Sequence, residues 1–448
     1  MAYATVETDT LSRRLNKPSE QHIVQPKQSV RLPITIIIIM TTSTTLRPSS
    51  QGSRLAAVDA LRGFALLAII LLHNLEHYNI FYAPMQRPEW LQWLDAQIVQ
   101  IIYFIFAGKA YATFSLLFGF SFFIQLRNAR RRGCDFRMRF AWRMLLLLAF
   151  AEFHSLFYNG DILTLYAVCG LILIPASSWK DRTVLLVGSF LMLQPWCWAN
   201  IIYALFNPDY IDNNSLFMQY AAPAEVAGRT GDLLQTLASN LTDGWLYSNV
   251  WQIEAGRLFQ TPALFLFGMW LGRKKFFECS DSSRIFWKKA LFVAIIASAI
   301  LYPLKEFVPQ HLTNITILSY YSIIAGMIYN FFFMIMLVAS FMLLWFHAGN
   351  AGYLWQRFIT PFGRMSLTNY IGQSIIGVAC YYHFGFDLWD KTGAAETLLI
   401  GIAIFMALLA FSRKWLATHS QGPLEYLWKR ATWIRADRNG AGRSTAAA

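Results

Sequence analysis

Three ionisable residues share one apolar stretch, Asp59-Ala-Leu-Arg62-Gly-Phe-Ala-Leu-Leu-Ala-Ile-Ile-Leu-Leu-His73. An ionisable group within a lipid bilayer costs about 2.5–3.5 kcal/mol on insertion scales, so it faces the protein interior and marks a site or a structural pair. On a helix Asp59 and Arg62 lie one turn apart. Arg62 and His73, eleven residues apart, complete three turns with about 20° of drift, so all three line one stripe with His73 about 16 Å beyond Arg62. That stripe offers an anion-binding cation at one depth and a titratable imidazole at another. The plainer alternative is an Asp59–Arg62 pair fixing one end of the helix and His73 anchoring the other. His73 and His77 have the i, i+4 spacing of two metal ligands, with Glu76 beside them. The order is not H-E-x-x-H and no further ligand cluster is evident, so no metal site is assigned.

Lys109 follows Gly108 in a run of small and aromatic residues, Gly108-Lys109-Ala-Tyr-Ala-Thr-Phe-Ser115. A buried lysine demands a partner or an anionic ligand; otherwise it snorkels to the interface. Glu152 and His154 are two residues apart and point about 200° away from each other on a helix, whereas Asp161 follows after the turn Tyr158-Asn159-Gly160. His154 therefore pairs with Asp161 across the turn. A carboxylate orients an imidazole and stabilises its charged form, which suits it for general base work; the alternative is a polar cap on a helical hairpin. Glu254 and Arg257 repeat the i, i+3 acid–base spacing and read as a structural pair or as groups lining a site. No nucleophile elbow, phosphate-binding loop or dinucleotide fingerprint is present.

The elements that must carry these residues are apolar helices. The chain has 448 residues, 56% hydrophobic, 16% aromatic and only 14% charged; a soluble domain has roughly a quarter charged. Apolar runs predict an all-α polytopic membrane protein of about ten spans, near 55–75, 97–126, 141–158, 160–177, 183–206, 251–272, 287–304, 315–346, 366–384 and 395–412. With the N-terminus in the cytoplasm, 24 of the 38 Lys and Arg fall in inner segments and the C-terminal tail, and only Arg87, Arg229, Lys305 and Lys391 fall outside. The positive-inside rule thus puts both termini in the cytoplasm, and the charge of +13 is mostly topology rather than a nucleic-acid footprint. Residues 1–53 are polar and read as a disordered leader, with Met40 an alternative start; 434–448 read as a disordered tail, leaving 54–433 as one helical domain. The segment 207–250 is the one sizeable extramembrane piece expected, a lid or a connector. Five cysteines without a C-x-x-C pair suggest neither a disulfide framework nor a thiolate metal site.

Five segments resemble, in order, the YeiB-like family of bacterial inner-membrane proteins: Asp59-Ala-Leu-Arg62-Gly-Phe-Ala; Gly108-Lys109 with Phe114-Ser-Leu-Leu-Phe-Gly119; His154 with Gly160-Asp161-Ile-Leu-Thr-Leu-Tyr166-Ala; Gly363-Arg364-Met-Ser-Leu-Thr-Asn369-Tyr-Ile-Gly-Gln373-Ser374; and Gly422-Pro423-Leu424-Glu425-Tyr426-Leu427-Trp428-Lys429-Arg430. The likeness runs from about residue 54 to 433, with 230–433 as the family's C-terminal half. The first segment is also similar to the wider transmembrane acyltransferase group, which includes sugar O-acyltransferases and heparan glucosaminide N-acetyltransferase. In the O-acyltransferase branch an Arg and a His stand eleven apart in the first span, as Arg62 and His73 do; YeiB-like sequences more often have Asn at the second place. Glu152 is a further departure, standing where an apolar residue or glycine is expected.

The resemblance implies a multi-pass inner-membrane acyltransferase that takes an acyl group from acyl-CoA to a hydroxyl or amine of a small-molecule or glycan acceptor. It holds no permanent cofactor. On this reading His73, His154 and Asp161 are catalytic, and Arg62 and Lys109 bind the donor. Asp59, Glu254, Arg257, Arg364 and Asn369 are structural or line the substrate. The lipid bilayer is a partner and nucleic acid is not. The competing expectation is a transporter or permease in which the same Lys, His and Asp bind a small polar solute or relay protons.

Overall fold

The computed structural model describes residues 55–433 apart from 83, 85, 213, 214, 350 and 351. The expected leader with its alternative start at Met40, and the expected tail 434–448, lie outside the described residues. Among the described residues every regular element is helical and there is no strand. In the first half these are α1 (Ala56–Leu75), α2 (Glu89–Phe106), α3 (Ala110–Arg131), α4 (Arg137–Ser155), α5 (Leu163–Gly170), α6 (Leu173–Ala176), α7 (Asp181–Met192), α8 (Pro195–Phe206) and α9 (Leu216–Thr230). There follow α10 (Leu233–Leu241), α11 (Asp243–Glu254), α12 (Arg257–Arg273), α13 (Asp281–Phe307), α14 (Ile315–His347), α15 (Leu354–Arg364), α16 (Ser366–Tyr381), α17 (Ala394–Thr418) and α18 (Pro423–Trp433).

Several of these helices have the length and composition of membrane spans. Among the described residues, Ala56–Leu75, Glu89–Arg131, Asp281–His311, Ile315–His347 and Ala394–Thr418 qualify, and α7 with α8, bent by 47° at their junction, would make a sixth. The other expected spans are interrupted, charged or, like the 16-residue α16, short. The stretch 251–272 breaks after Glu254 and restarts at Arg257 through Gly256, whose φ of 74° is a conformation that costs a side chain about 1–2 kcal/mol. In α4 the first two turns carry Arg137, Arg139 and Arg143. The segment 207–250 is not an irregular loop: it forms α9, α10 and the start of α11, and α10 opens on a capping box between Asp232 and Gln235.

An apolar helix buried on all sides belongs inside the bundle, while one buried on a single stripe shows its other face to lipid. α1 is 72% buried over its most apolar window and α13 only 11%, so α1 is central and α13 peripheral. α1 meets α15 at Gly63 and Gly363, where a Cβ on Gly363 would collide with the carbonyl oxygen of Asp59. α3 crosses α12 in the same way at Gly119 and Gly268. Such glycines allow backbones to touch, as small residues do between membrane helices.

The C-terminal α18 fastens two other helices, α16 and α4. The Glu425 carboxylate accepts the backbone N–H of Leu367 at 2.7 Å and of Thr368 at 3.2 Å and the Thr368 hydroxyl at 2.6 Å, which caps the first turn of α16. The Arg143 guanidinium lies 3.4 Å over the Trp428 ring, while Trp428 Nε1–H donates to the Arg143 carbonyl at 3.1 Å.

Candidate functional site

α1 delivers its polar residues to opposite ends of the bundle. At one end Arg62 donates through Nη1 to Asp59 Oδ1 and through Nη2 to Ser121 Oγ on α3, both at 2.7 Å. Asp59 is buried and Arg62 half-buried. The ion pair joins successive turns of α1, and the serine ties it to α3.

At the other end α1 stops at Leu75, and the chain turns through three residues in the left-handed region, His77 (φ 44°), Tyr78 (φ 54°) and Asn79 (φ 74°). Residues with a Cβ visit that region at a cost of about 1–2 kcal/mol each, so surrounding contacts must hold them there. Asn79 Nδ2 donates to Asn159 Oδ1 at 2.8 Å, and His77 Nε2 meets the Thr392 carbonyl at 3.0 Å. Tyr78 folds back to place its ring 5.6 Å from that of His73 and its hydroxyl 2.5 Å from Gln373 Oε1. The expected one-turn relation between His73 and His77 is therefore absent, because the helix has ended between them.

Around this turn the fold assembles His73, His154, Asp161, Tyr158, Tyr370 and Gln373. His154 is fully buried on the last turn of α4, and its Nδ1 lies 2.7 Å from Asp161 Oδ1. Asp161 Oδ2 already accepts the Thr164 backbone N–H at 3.0 Å and its hydroxyl at 3.3 Å. A carboxylate only accepts, so His154 carries a proton on Nδ1, and its neutral form has the lone pair on Nε2; that Nε2 is buried and has no hydrogen-bond partner. The tight turn is further fixed by Ser248 and Gln252 of α11, which donate to the Asp161 carbonyl at 3.1 and 2.9 Å.

His73 is held the other way round. Gln373 directs its amide oxygen to Tyr78, and its Nε2 donates to Ser374 Oγ at 2.8 Å and faces His73 Nδ1 at 3.2 Å. An amide nitrogen only donates, so His73 Nδ1 accepts and the neutral ring keeps its proton on Nε2. The two imidazoles flank Tyr158, at 5.1 Å for His73 and 5.8 Å for His154 between ring centroids, and Tyr370 lies 5.0 Å from His154. One histidine thus presents an acceptor and the other a donor.

Other residues singled out by the sequence lie apart from this cluster or serve the scaffold. Lys109 donates to the Phe104 carbonyl at 2.9 Å and sits over the rings of Tyr329 and Phe333 at 5.4 and 5.1 Å. It precedes Ser121 by twelve residues on α3, about 18 Å at 1.5 Å per residue, so it is not beside Arg62. Glu254 and Arg257 do not pair. Glu254 caps α9, accepting the Leu216 N–H at 2.8 Å and the Ser215 hydroxyl at 3.0 Å, because the break at Gly256 separates it from Arg257. Arg257 instead lies 4.1 Å over Trp251 and 4.5 Å over Tyr111. Asn369 is fully buried and ties Phe362 to Ser412, both at 2.9 Å, and Arg364 donates to the Ser420 carbonyl at 3.1 Å. Glu76 accepts from Tyr103 at 2.9 Å and Glu152 from Trp245 at 3.4 Å. No group of three or more His, Cys, Asp and Glu able to hold a metal exists among the described residues.

Two clefts of about 220 and 270 Å³ lie between α13, α14 and their neighbours; both are lined almost wholly by apolar side chains such as Phe286, Ala290 and Ile335, and neither includes Arg62 or His73. Sequence reasoning missed Gln373, Tyr78, Tyr158 and Tyr370 as members of the cluster. Gln373 and Tyr370 stood within a recognised motif, but only the packing of α16 against α1 gives them a role.

Comparison with known proteins matches residues 271–435 to the family described as "Protein of unknown function (DUF418)". The chain is 26% identical over 422 residues to the uncharacterized protein YxaH of Bacillus subtilis (strain 168), covering 87% of this chain and 96% of that one. It is 26% identical over 409 residues to an uncharacterized 39.9 kDa protein of Bacillus acidopullulyticus, with the same coverage of 87% and 96%. A shorter match, 40% identical over 70 residues, covers 16% of this chain and 18% of the uncharacterized protein YeiB of Escherichia coli (strain K12). This helical, membrane-type chain is thus similar to the DUF418 family over residues 271–435, to YxaH over most of its length and to YeiB over a short segment.

Proposed function

We propose that the protein is an inner-membrane acyltransferase that moves an acyl group from acyl-CoA to a hydroxyl or amine of a small-molecule or glycan acceptor. The observation that carries this reading is the pair of imidazoles held in opposite tautomers, His154 by Asp161 and His73 by Gln373. Acyl transfer needs one group to take the acceptor's proton and another to donate to the oxygen of the thioester carbonyl as it gains charge. His154 Nε2 would take the acceptor proton as the new C–O or C–N bond forms, and His73 Nε2–H would donate to the oxyanion. Collapse breaks the C–S bond, and His154 returns its proton to the leaving thiolate, giving free CoA.

With both termini cytoplasmic, the Arg62 end is the donor side. Arg62 and the basic segment 127–143 would attract the CoA phosphates, since guanidinium groups suit bidentate contact with them. The acyl group would travel along α1, about 16 Å from Arg62 to His73. Membranes holding the native protein, supplied with labelled acetyl-CoA, are expected to transfer label or hydrolyse the thioester, and His73→Ala and His154→Ala to fall to background. Native protein no more active than empty membranes would sink the reading.

The transporter reading is favoured by a different observation, the discontinuous helices at residues 107–109 between α2 and α3, at 193–194 between α7 and α8, and at Gly256. Broken helices at membrane depth commonly frame solute sites in secondary transporters. It predicts pH-dependent flux in proteoliposomes without covalent change of the solute.

A further inference from the structure

Most cations at the His73 end of the bundle are matched by carboxylates or carbonyls. Arg87 pairs with Asp95 at 2.6 Å and also with Glu396, Arg229 with Glu225 at 2.5 Å, and Lys109 donates to a backbone carbonyl. Arg257 is the exception. Its guanidinium packs over the rings of Trp251 and Tyr111, and among the described residues it makes no ion pair and no hydrogen bond. It is half-buried, so ligand can reach it. A guanidinium stacked on aromatic rings keeps its in-plane N–H groups available, and those five donors match an oxyanion in a fork.

Arg257 opens α12, directly after the helix α11 whose Ser248 and Gln252 donate to the Asp161 carbonyl of the histidine cluster. Gln260, one turn further along α12, accepts the Tyr111 hydroxyl through Oε1, while its Nε2 is buried without a partner. Gln252, which donates to the Asp161 carbonyl, likewise has a buried and unpartnered Oε1. Buried polar atoms in native proteins nearly always find partners, so unmatched donors and acceptors gathered at one helix break point to a polar ligand.

We propose that Arg257 anchors an oxyanion of the acceptor, a phosphate or carboxylate carried close to the group that is acylated. The word acceptor rests on the acyltransferase reading; the oxyanion site does not. Two sources share this chemistry, a soluble phosphorylated or acidic solute and an anionic lipid headgroup.

The test uses the full chain in phosphatidylcholine nanodiscs, with labelled inorganic phosphate and labelled glycerol phosphate as probes, and a second set of nanodiscs containing phosphatidylglycerol. Native protein is expected to bind a probe, or to gain thermal midpoint with phosphatidylglycerol, and Arg257→Gln to weaken that response at least about tenfold, as loss of a charge-assisted contact would. Arg257→Lys keeps the charge but not the fork and is expected between the two. Arg229→Gln, which removes a paired cation at the same end, is expected to bind as native. Probe binding in phosphatidylcholine identifies a soluble oxyanion; a response only to phosphatidylglycerol identifies a headgroup. Equal responses from native protein and Arg257→Gln, or none from native protein in either arm, overturn the site. Binding that depends on Arg257 in a protein that transfers no acyl group would keep the site and remove the acyltransferase reading.

Discussion

His73 and His154, on different helices, both pack against Tyr158, with ring centroids 5.1 and 5.8 Å away and protons on opposite nitrogens. The carboxylate of Asp161 fixes the proton of His154 on Nδ1, and the amide of Gln373 fixes that of His73 on Nε2. Ring-nitrogen NMR of histidine-labelled protein in lipid is expected to show both tautomers, with one signal lost in His73→Ala and the other in His154→Ala. Gln373→Glu, which offers His73 an acceptor in place of a donor, is expected to move the His73 proton to Nδ1. An unchanged His73 signal in that variant would contradict the assignment.

Asp161→Asn tests the orienting carboxylate. The amide can still face Thr164 but carries no charge to stabilise a protonated His154, so acyl transfer is expected to fall about 10²- to 10⁴-fold, the range of general base catalysis. A rate within a factor of two of native would remove His154 from the role of base.

At the opposite end, Asp59→Asn leaves the half-buried Arg62 without its carboxylate. Breaking a buried pair costs about 3–5 kcal/mol, whereas replacing both partners is often nearly neutral. The thermal midpoint of Asp59→Asn is expected well below that of Asp59→Asn with Arg62→Met. Equal midpoints would show that the pair adds nothing.

Gly363→Leu would force a side chain into the Asp59 carbonyl where α15 crosses α1. Overpacking typically costs about 1–3 kcal/mol, and a backbone neighbour cannot yield as a side chain can. Reduced yield and a lower midpoint in detergent are expected, with Gly372→Ala, where the nearest neighbour is a flexible Leu408 methyl at 3.6 Å, close to native.

Glu425→Ala removes the cap of α16. A lost cap costs about 0.5–2 kcal/mol, and here it also releases α18, which Trp428 still holds to Arg143. Proteolysis is expected to cut near residue 421 sooner in the variant than in the native chain; an unchanged cleavage pattern would mean that the aromatic contacts alone hold α18.

Composition and periodicity were enough to predict the helical structure of the described residues, with several membrane-length helices, because apolar surface and helix length are local properties. Spacing was also enough to pair Asp59 with Arg62 and His154 with Asp161, since each pair is close in sequence and bridged by one turn. The same reasoning failed for Glu254 with Arg257 and for His73 with His77, where the helix breaks between the partners. Neither break has a proline to announce it, and the left-handed run from His77 to Asn79 is held by contacts with Asn159, Gln373 and Thr392, far off in sequence. Tertiary packing alone decided that Gln373 orients His73, that Glu425 caps α16 and that Arg257 stacks on Trp251 and Tyr111 without an ion pair. Those relations depend on which helices touch, and spacing along the chain does not encode that.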